Sequence, residues 1–347
     1  MMGNWKTCQL GDLITFQRGH DLPKSKMKGG IYPVVGSNGI IGYHDEYTTE
    51  SPSITIGRSG NVGKPFLYKG RSWSHNTSLY IREYKDIDPI FIYYFLQTLD
   101  LGNYAGGSAV PTLNRNHIHT LTVTVPVDKN EQRQIASVLS VLDDKIEQNT
   151  EINENLAQQA QAIYADIFIT NADPAWPLGH LSDLITVRYG KDHKKLADGP
   201  FPVYGSGGVM RYVERPIYEK ESVWIPRKGT LNNVMYVNEP FWSVDTMFFT
   251  EMKLPDVAKF VFHFVKSKDL ASLNAGSAVP SMTTDILNAM ELCIPDPETL
   301  KCFESIVGPM YRTMQHNTEE SKKLATVRDT LLPRLMSGEL DVSKLDL

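Results

Sequence analysis

Glycine and basic residues crowd into one short stretch, Gly57-Arg58-Ser59-Gly60-Asn61-Val62-Gly63-Lys64-Pro65, which has the outline of a phosphate-cradling loop. Phosphate chemistry there would need four residues between the outer glycines and a Ser or Thr after the lysine to hold Mg²⁺. Here five intervene and Pro65 follows, so nucleotide binding is not expected and a glycine-rich turn between strands is. Asp88-Pro89-Ile90-Phe91 and Asp173-Pro174-Ala175-Trp176 lack the second proline of the Asp/Asn-Pro-Pro-aromatic motif of amino-methyltransferases. No glycine-rich cofactor loop follows a strand either, and Asp-Pro is a common helix start. Asp192-His193-Lys194 holds the tail of a nuclease-type carboxylate–x–Lys pattern without a partner carboxylate. The nine histidines never fall at metal-ligand spacing, and Cys8, Cys293 and Cys302 are too scattered for a zinc site or a disulfide framework. No catalytic constellation and no metal site survive.

The elements that carry the loops are duplicated. Trp5 through Gly19 reappears as Trp176 through Gly190, sharing Asp-Leu-Ile-Thr at 12–15 and 183–186. Tyr32-Pro33-Val34-Val35-Gly36-Ser37 returns as Phe201-Pro202-Val203-Tyr204-Gly205-Ser206, and Trp73-Ser74 with Thr77 as Trp242-Ser243 with Thr246. Gly107-Ser108-Ala109-Val110-Pro111 is repeated unchanged at 276–280, and from Tyr32 to Pro126 every pair lies 169 positions apart. The chain is a tandem duplication. Each copy opens with a region rich in Gly, Pro, Tyr and Trp, with short β-type runs such as Ser53–Ile56 and Leu121–Val125. One apolar helix interrupts them, Pro89–Leu96 in the first copy and Lys259–Val265 in the second. The pattern predicts an α+β fold, with domains at 1–128 and 173–297.

After each domain comes a long helix, at 129–172 and, with a C-terminal tail, at 298–347. Ile135, Leu139, Leu142, Ile146, Asn149, Asn153, Leu156, Ala160, Ile163 and Ile167 alternate steps of four and three, the 3.5-residue period of a coiled-coil seam. Shifted by 168, the ladder reads Phe303, Val307, Met310, Met314, Asn317, Ser321, Leu324, Arg328, Leu331 and Leu335. Polar residues fall at the same two seam positions in both, where a buried Asn fixes register and orientation. The first helix is expected to run ~58 Å.

Of 347 residues 41% are hydrophobic and 10% aromatic, which excludes disorder along the whole chain. No apolar stretch reaches 18 residues and no secretory leader opens the chain, so a soluble, cytoplasmic protein with reduced cysteines is expected. The net charge of −5 divides unevenly: residues 1–128 carry +2, 129–172 carry −4, 173–297 carry −2 and 298–347 carry −1. The negative balance sits largely on the first helix, which leaves local basic clusters on the domains open to nucleic acid.

The whole chain resembles the specificity (S) subunits of type I restriction-modification systems. The resemblance rests on Pro126 followed by Glu131-Gln132-Arg133-Gln134-Ile135, on the two Gly-Ser-Ala-Val-Pro segments, and on Leu331-Leu332-Pro333-Arg334-Leu335-Met336-Ser337-Gly338-Glu339-Leu340. The second helix departs from it, opening Pro295-Asp296-Pro297-Glu298-Thr299-Leu300 without Glu-Gln. The resemblance implies two target recognition domains that each read half of a bipartite double-stranded DNA site, with the two helices paired antiparallel as a spacer. It implies two methyltransferase subunits and restriction subunits as partners, the alternative being a methyltransferase-only system. It also implies a subunit with no catalysis and no cofactor of its own, with S-adenosylmethionine, ATP and Mg²⁺ belonging to the partners. A duplicated chain suits a pseudo-twofold reader of two half-sites, and unlike domains imply an asymmetric target.

Candidates for DNA contact are the polar and basic loop residues. In the first domain they are Lys24, Lys26, Lys28, Ser37, Asn38, Arg58, Ser59, Asn61, Lys64, His75, Asn76, Asn114 and Arg115. In the second they are Lys191, His193, Lys194, Lys195, Ser206, Arg211, Arg227, Lys228, Asn232 and Asn233. Arg and Asn can read base edges with two hydrogen bonds, whereas Lys more often meets phosphate. Arg58 and Arg227 stand out, each two residues before a glycine at equivalent positions. Trp5, Trp73, Trp176 and Trp242 recur in pairs as core residues. A catalytic methyltransferase or nuclease would need the missing motifs. A coiled-coil scaffold would not need loop-rich aromatic domains.

Overall fold

A computed structural model describes residues 4–107, 111–273 and 281–342. The fold is mixed α+β with two long helices, Lys129–Ala165 and Pro297–Met336. Most of both Gly-Ser-Ala-Val-Pro segments lies outside the described residues.

The first domain holds an antiparallel four-stranded sheet in the order Ile14–Arg18, Ser78–Tyr84, Ser53–Gly57, Pro65–Tyr68. A three-stranded sheet in the order Gly39–His44, Tyr32–Gly36, Trp73–Ser74 sits beside it in sequence, its last pair parallel. Trp5–Gln9 and Thr122–Pro126 form a two-stranded ribbon. The second domain repeats all three: Ile185–Tyr189, Met247–Met252, Ser222–Pro226, Met235–Val237; then Gly208–Val213, Phe201–Gly205, Trp242–Ser243; then Leu178–His180 with Glu291–Cys293.

Ser53–Gly57 and Ser222–Pro226 are buried along their whole length, as central strands covered on both faces must be. Their cores nevertheless differ. In the first domain hydroxyls pair below the sheet, Ser53 with Ser72 and Thr49 with Ser74, each at 2.6 Å. At the positions of Thr55 and Ser72 the second domain has Trp224 and Phe241, packed edge to face at 4.5 Å between centroids. The same backbone thus tolerates two fillings.

The chain divides into two compact units, residues 1–149 with 318–347, and residues 150–317. Each takes half of both long helices. In the first unit the start of the first helix (Ile135, Ala136, Val138, Leu139) shares a core with the end of the second (Leu335, Met336) and with Phe91, Ile92 and Phe95 of the helix Pro89–Gln97. In the second unit Ala160 and Tyr164 meet Phe303 and Val307 against Phe260 and Val261 of the helix Ala258–Lys266. Start against end is antiparallel pairing. Every position of both seam ladders is buried or half-buried.

The polar seam residues are hydrogen-bonded within their units. Asn149 donates to the Glu320 carboxylate at 2.8 Å and to Ser321 Oγ at 3.2 Å. Asn317 donates to Asn153 Oδ1 at 2.9 Å, and Asn153 to the Met314 carbonyl at 3.1 Å. Amides matched in this way penalise any slipped register, which would bury them unpaired.

Gln132, wholly buried, explains the motif after Pro126. Its Nε2 donates to the Pro126 carbonyl and its Oε1 accepts from the Asp88 amide, both at 2.8 Å. One side chain therefore ties the ribbon, the N-cap of the helix Pro89–Gln97 and the long helix together. The second copy has an apolar solution, buried Leu300 at the Gln132 position and buried Val257 at the Asp88 position. Asp296 caps its helix instead, accepting from the Thr299 amide at 2.9 Å and from the Trp176 indole at 3.1 Å. The backbone and side-chain hydrogen bonds from Thr299 hold its carboxyl down at about 2. Trp5 makes the matching contact to Glu131 at 3.2 Å. After the second helix, Gly338 takes the left-handed conformation (φ 73°) beside the Trp5 ring, where a Cβ would lie 3.1 Å from the indole.

Candidate nucleic-acid interface

The central strand of each four-stranded sheet runs out into the loop that carries the expected arginine. In the first domain the amides of Arg58 and Ser59 both donate to the Thr77 carbonyl, at 2.8 and 3.2 Å, and the Arg58 carbonyl accepts from the Leu113 amide at 2.9 Å. In the second, Arg227 and Lys228 donate to the Thr246 carbonyl at 2.9 and 3.3 Å, and Arg227 accepts from the Met282 amide at 2.9 Å. The two arginines hang on one backbone frame. Gly60 and Gly229 then turn the chain with φ of 88° and 85°, a conformation that costs a non-glycine residue.

Around the Arg58 frame the fold gathers part of the expected set. Buried Ser37 donates its amide to Thr77 Oγ1 (3.3 Å), which also meets His75 Nδ1 at 3.0 Å. Exposed Asn38 follows Ser37 in the hairpin turn, and Ser59, half-buried, and Asn61, exposed, follow Arg58. Asn76 donates its amide to Asp21 at 2.5 Å. Lys64 is exposed and lies 5.6 Å from the Phe66 ring centroid.

Other candidates stand apart from this frame. Lys24 and Lys26 are exposed on the short helix Lys24–Lys26, and Lys28 is ion-paired with Asp45 at 3.4 Å. Asn114 caps the helix Arg115–His119, whose first residue, Arg115, is exposed.

In the second domain Ser206 accepts, through its carbonyl, from the Asn233 amide at 2.5 Å, which ties the hairpin turn to the Arg227 loop. Asn232 is exposed but engaged by its own domain, donating to Asp269 at 3.0 Å and accepting from the Ala271 amide at 2.9 Å. Arg211 is likewise engaged, by Asp198 at 2.8 Å and the Leu196 carbonyl at 3.0 Å. Lys191, Lys194, Lys195 and Lys228 are exposed, and His193 is half-buried.

Two residues at this sheet end escape a reading of loops, because they close strands: Arg18 and Tyr189. Partial burial pulls the Arg58 guanidinium pKa below its ordinary value, and the nearby Arg18 guanidinium pulls it lower still, while the side chain stays charged. Arg227 instead lies 5.3 Å from the Tyr189 ring centroid and donates to the Asp245 carbonyl at 3.2 Å. An arginine so placed presents a planar, donor-only fork, suited to phosphate oxygens or to acceptor atoms of a base edge.

Among the described residues no group of three or more His, Cys, Asp or Glu could hold a metal, and no helix is long and apolar enough to cross a membrane.

Residues 2–158 and 175–324 each match the type I restriction modification DNA specificity domain. The chain is 22% identical to the specificity subunit of the type I restriction enzyme MjaIX of Methanocaldococcus jannaschii, over 74% of this chain and 70% of that one. It is 21% identical to the specificity subunit of the type I restriction enzyme HindI of Haemophilus influenzae, over 66% and 71% of the two chains. Its fold is similar to the crystal structure of a type I restriction-modification S subunit from M. genitalium, with a TM-score of 0.68, 20% identity and 96% of each chain covered.

Proposed function

The chain belongs to the type I restriction-modification DNA specificity family, and on that premise we propose that it reads an asymmetric, bipartite double-stranded DNA target for its partner subunits. Each globular domain reads one half-site. Two methyltransferase subunits and restriction subunits assemble on the chain and supply the chemistry, with S-adenosylmethionine, ATP and Mg²⁺ bound by them. The chain itself catalyses nothing. It works in the cytoplasm, in keeping with Cys8, Cys293 and Cys302 as free thiols.

The observation that carries this reading is the frame built twice, Arg58 on Thr77 and Arg227 on Thr246, with different neighbours around each arginine. Like frames with unlike surroundings suit two half-sites of unlike sequence. The test is to assemble the full chain with its methyltransferase and sequence the methylated sites. One bipartite adenine-methylated motif with unlike halves is expected. Arg58→Ala should relax one half and Arg227→Ala the other, each by about 1–3 kcal/mol. Methylation without sequence preference by the complex, or methyl transfer by the pure chain alone, would overturn the proposal.

A further inference from the structure

Arg18 and Tyr189 end equivalent strands, Ile14–Arg18 and Ile185–Tyr189, and both side chains are exposed. Arg18 pairs in register with Leu79, whose opposite neighbour is Ile56. One step earlier Ser78 pairs with Gly57, and the Thr77 carbonyl holds the Arg58 amide. Arg18 and Arg58 therefore flank the start of a single strand. Among the described residues neither guanidinium makes a hydrogen bond or an ion pair, and the charge that acts on Arg58 is that of Arg18. Two donor-only cations held together repel unless acceptors arrive from outside.

The second domain resolves the same juxtaposition differently. Tyr189 pairs in register with Phe248, and Met247 pairs with Pro226, the residue before Arg227. The guanidinium rests over the Tyr189 ring at 5.3 Å and is tethered to the Asp245 carbonyl. A stacked, tethered Arg loses little freedom when it binds. One domain thus presents two forks at the position where the other presents one fork on an aromatic support.

We propose that positions 18 and 189 determine the specificity of the two half-sites. Arg18 joins Arg58 on an acceptor-only major-groove edge, that of guanine, while Tyr189 is a positioning residue that orients Arg227. This deepens the DNA-reading function above and rests on it. Guanine offers N7 and O6 side by side, with no donor to oppose the forks. The amino donors of adenine and cytosine would face them unpaired.

The experiment uses the full chain with its methyltransferase on targets randomised at each base of both half-sites. Arg18→Tyr should cut the preference for guanine at one position of one half-site about tenfold, leaving the other half-site and the spacer unchanged. Arg18→Lys keeps the charge without the fork, and should lose the preference while retaining affinity. Tyr189→Ala should blur one position of the second half-site, and Tyr189→Phe should restore it, because the ring face rather than the hydroxyl orients Arg227. An unchanged base preference in Arg18→Tyr overturns the proposal. So does an equal loss on all sequences with a flatter salt dependence, which would make Arg18 a phosphate contact. A wild-type complex without any sequence preference would overturn the DNA-reading function itself, a separate result.

Discussion

His263, 2% exposed on the helix Ala258–Lys266, should make the second unit sensitive to mild acid. Its Nδ1 donates to Gln161 Oε1 at 2.8 Å and its Nε2 accepts from the Tyr311 hydroxyl at 3.0 Å, while the ring stacks on Tyr164 at 5.3 Å. The neutral imidazole satisfies both neighbours. Burial, assisted by the nearby Lys266 charge, pushes its pKa down from 6.5 to about 4. Between these values the unfolded chain binds a proton that the folded chain refuses. The stability due to the neutral ring is therefore complete above about pH 6.5 and drains away as pH falls toward 4. At about pH 5 the loss is about 2 kcal/mol. For a unit of this size that lowers the melting temperature by about 4–8 °C. Thermal unfolding of the full chain and of His263→Gln, each at about pH 7.5 and about pH 5, isolates the effect from carboxylates that titrate in both. The variant should start less stable but lose about 2 kcal/mol less on acidification. Equal losses in the two proteins would refute the reasoning, because the histidine would then titrate alike folded and unfolded.

Two further expectations follow from the helices. Gln132→Ala strands the Asp88 amide and the Pro126 carbonyl in a buried site, and should cost about 2–4 kcal/mol, read as a lower urea midpoint at unchanged slope. Inserting four residues between Asn149 and Asn153 adds about 6 Å of helix as a stutter that a coiled coil absorbs, and about 6 Å is the rise of roughly two base pairs. If the helix is a ruler, the methylated motif of the assembled complex should keep both half-sites and lengthen its spacer by one or two base pairs; an unchanged spacer would sink the ruler.

Much of the architecture could be read from residue spacing because burial obeys simple periods. The constant offset of 169 marks equivalent strands, and the alternation of four and three marks the seam, whose every member is buried or half-buried. The ties between elements could not be read in this way. In the first unit the Tyr94 hydroxyl donates to Asp143 at 2.7 Å, and Asp143 in turn accepts from Arg328 at 2.6 Å, joining a domain helix to both long helices. The equivalent place in the second unit is the His263–Tyr311–Gln161 set, with no residue type in common except a tyrosine that has changed elements. Polar ties of this kind are satisfied by geometry, not by sequence period, so each copy could replace them freely.

The interface obeys the same limit. Loop residues are visible as candidates because loops are polar, but polarity does not tell an engaged side chain from an available one. Asn232, Asn114 and Arg211 have the same composition signal as Asn61 or Arg58, yet their amides and guanidinium are committed to Asp269, to a helix cap and to Asp198. Conversely, Arg18 and Tyr189 hide in strands, where an exposed final residue reads as ordinary sheet edge. What sets them apart is the neighbour across the strand, Arg58 in one domain and Arg227 in the other. On the proposed reading, recognition would rest on pairs formed across a sheet end, and a frame built in both domains with a different partner in each would let one half-site change without disturbing the core beneath it.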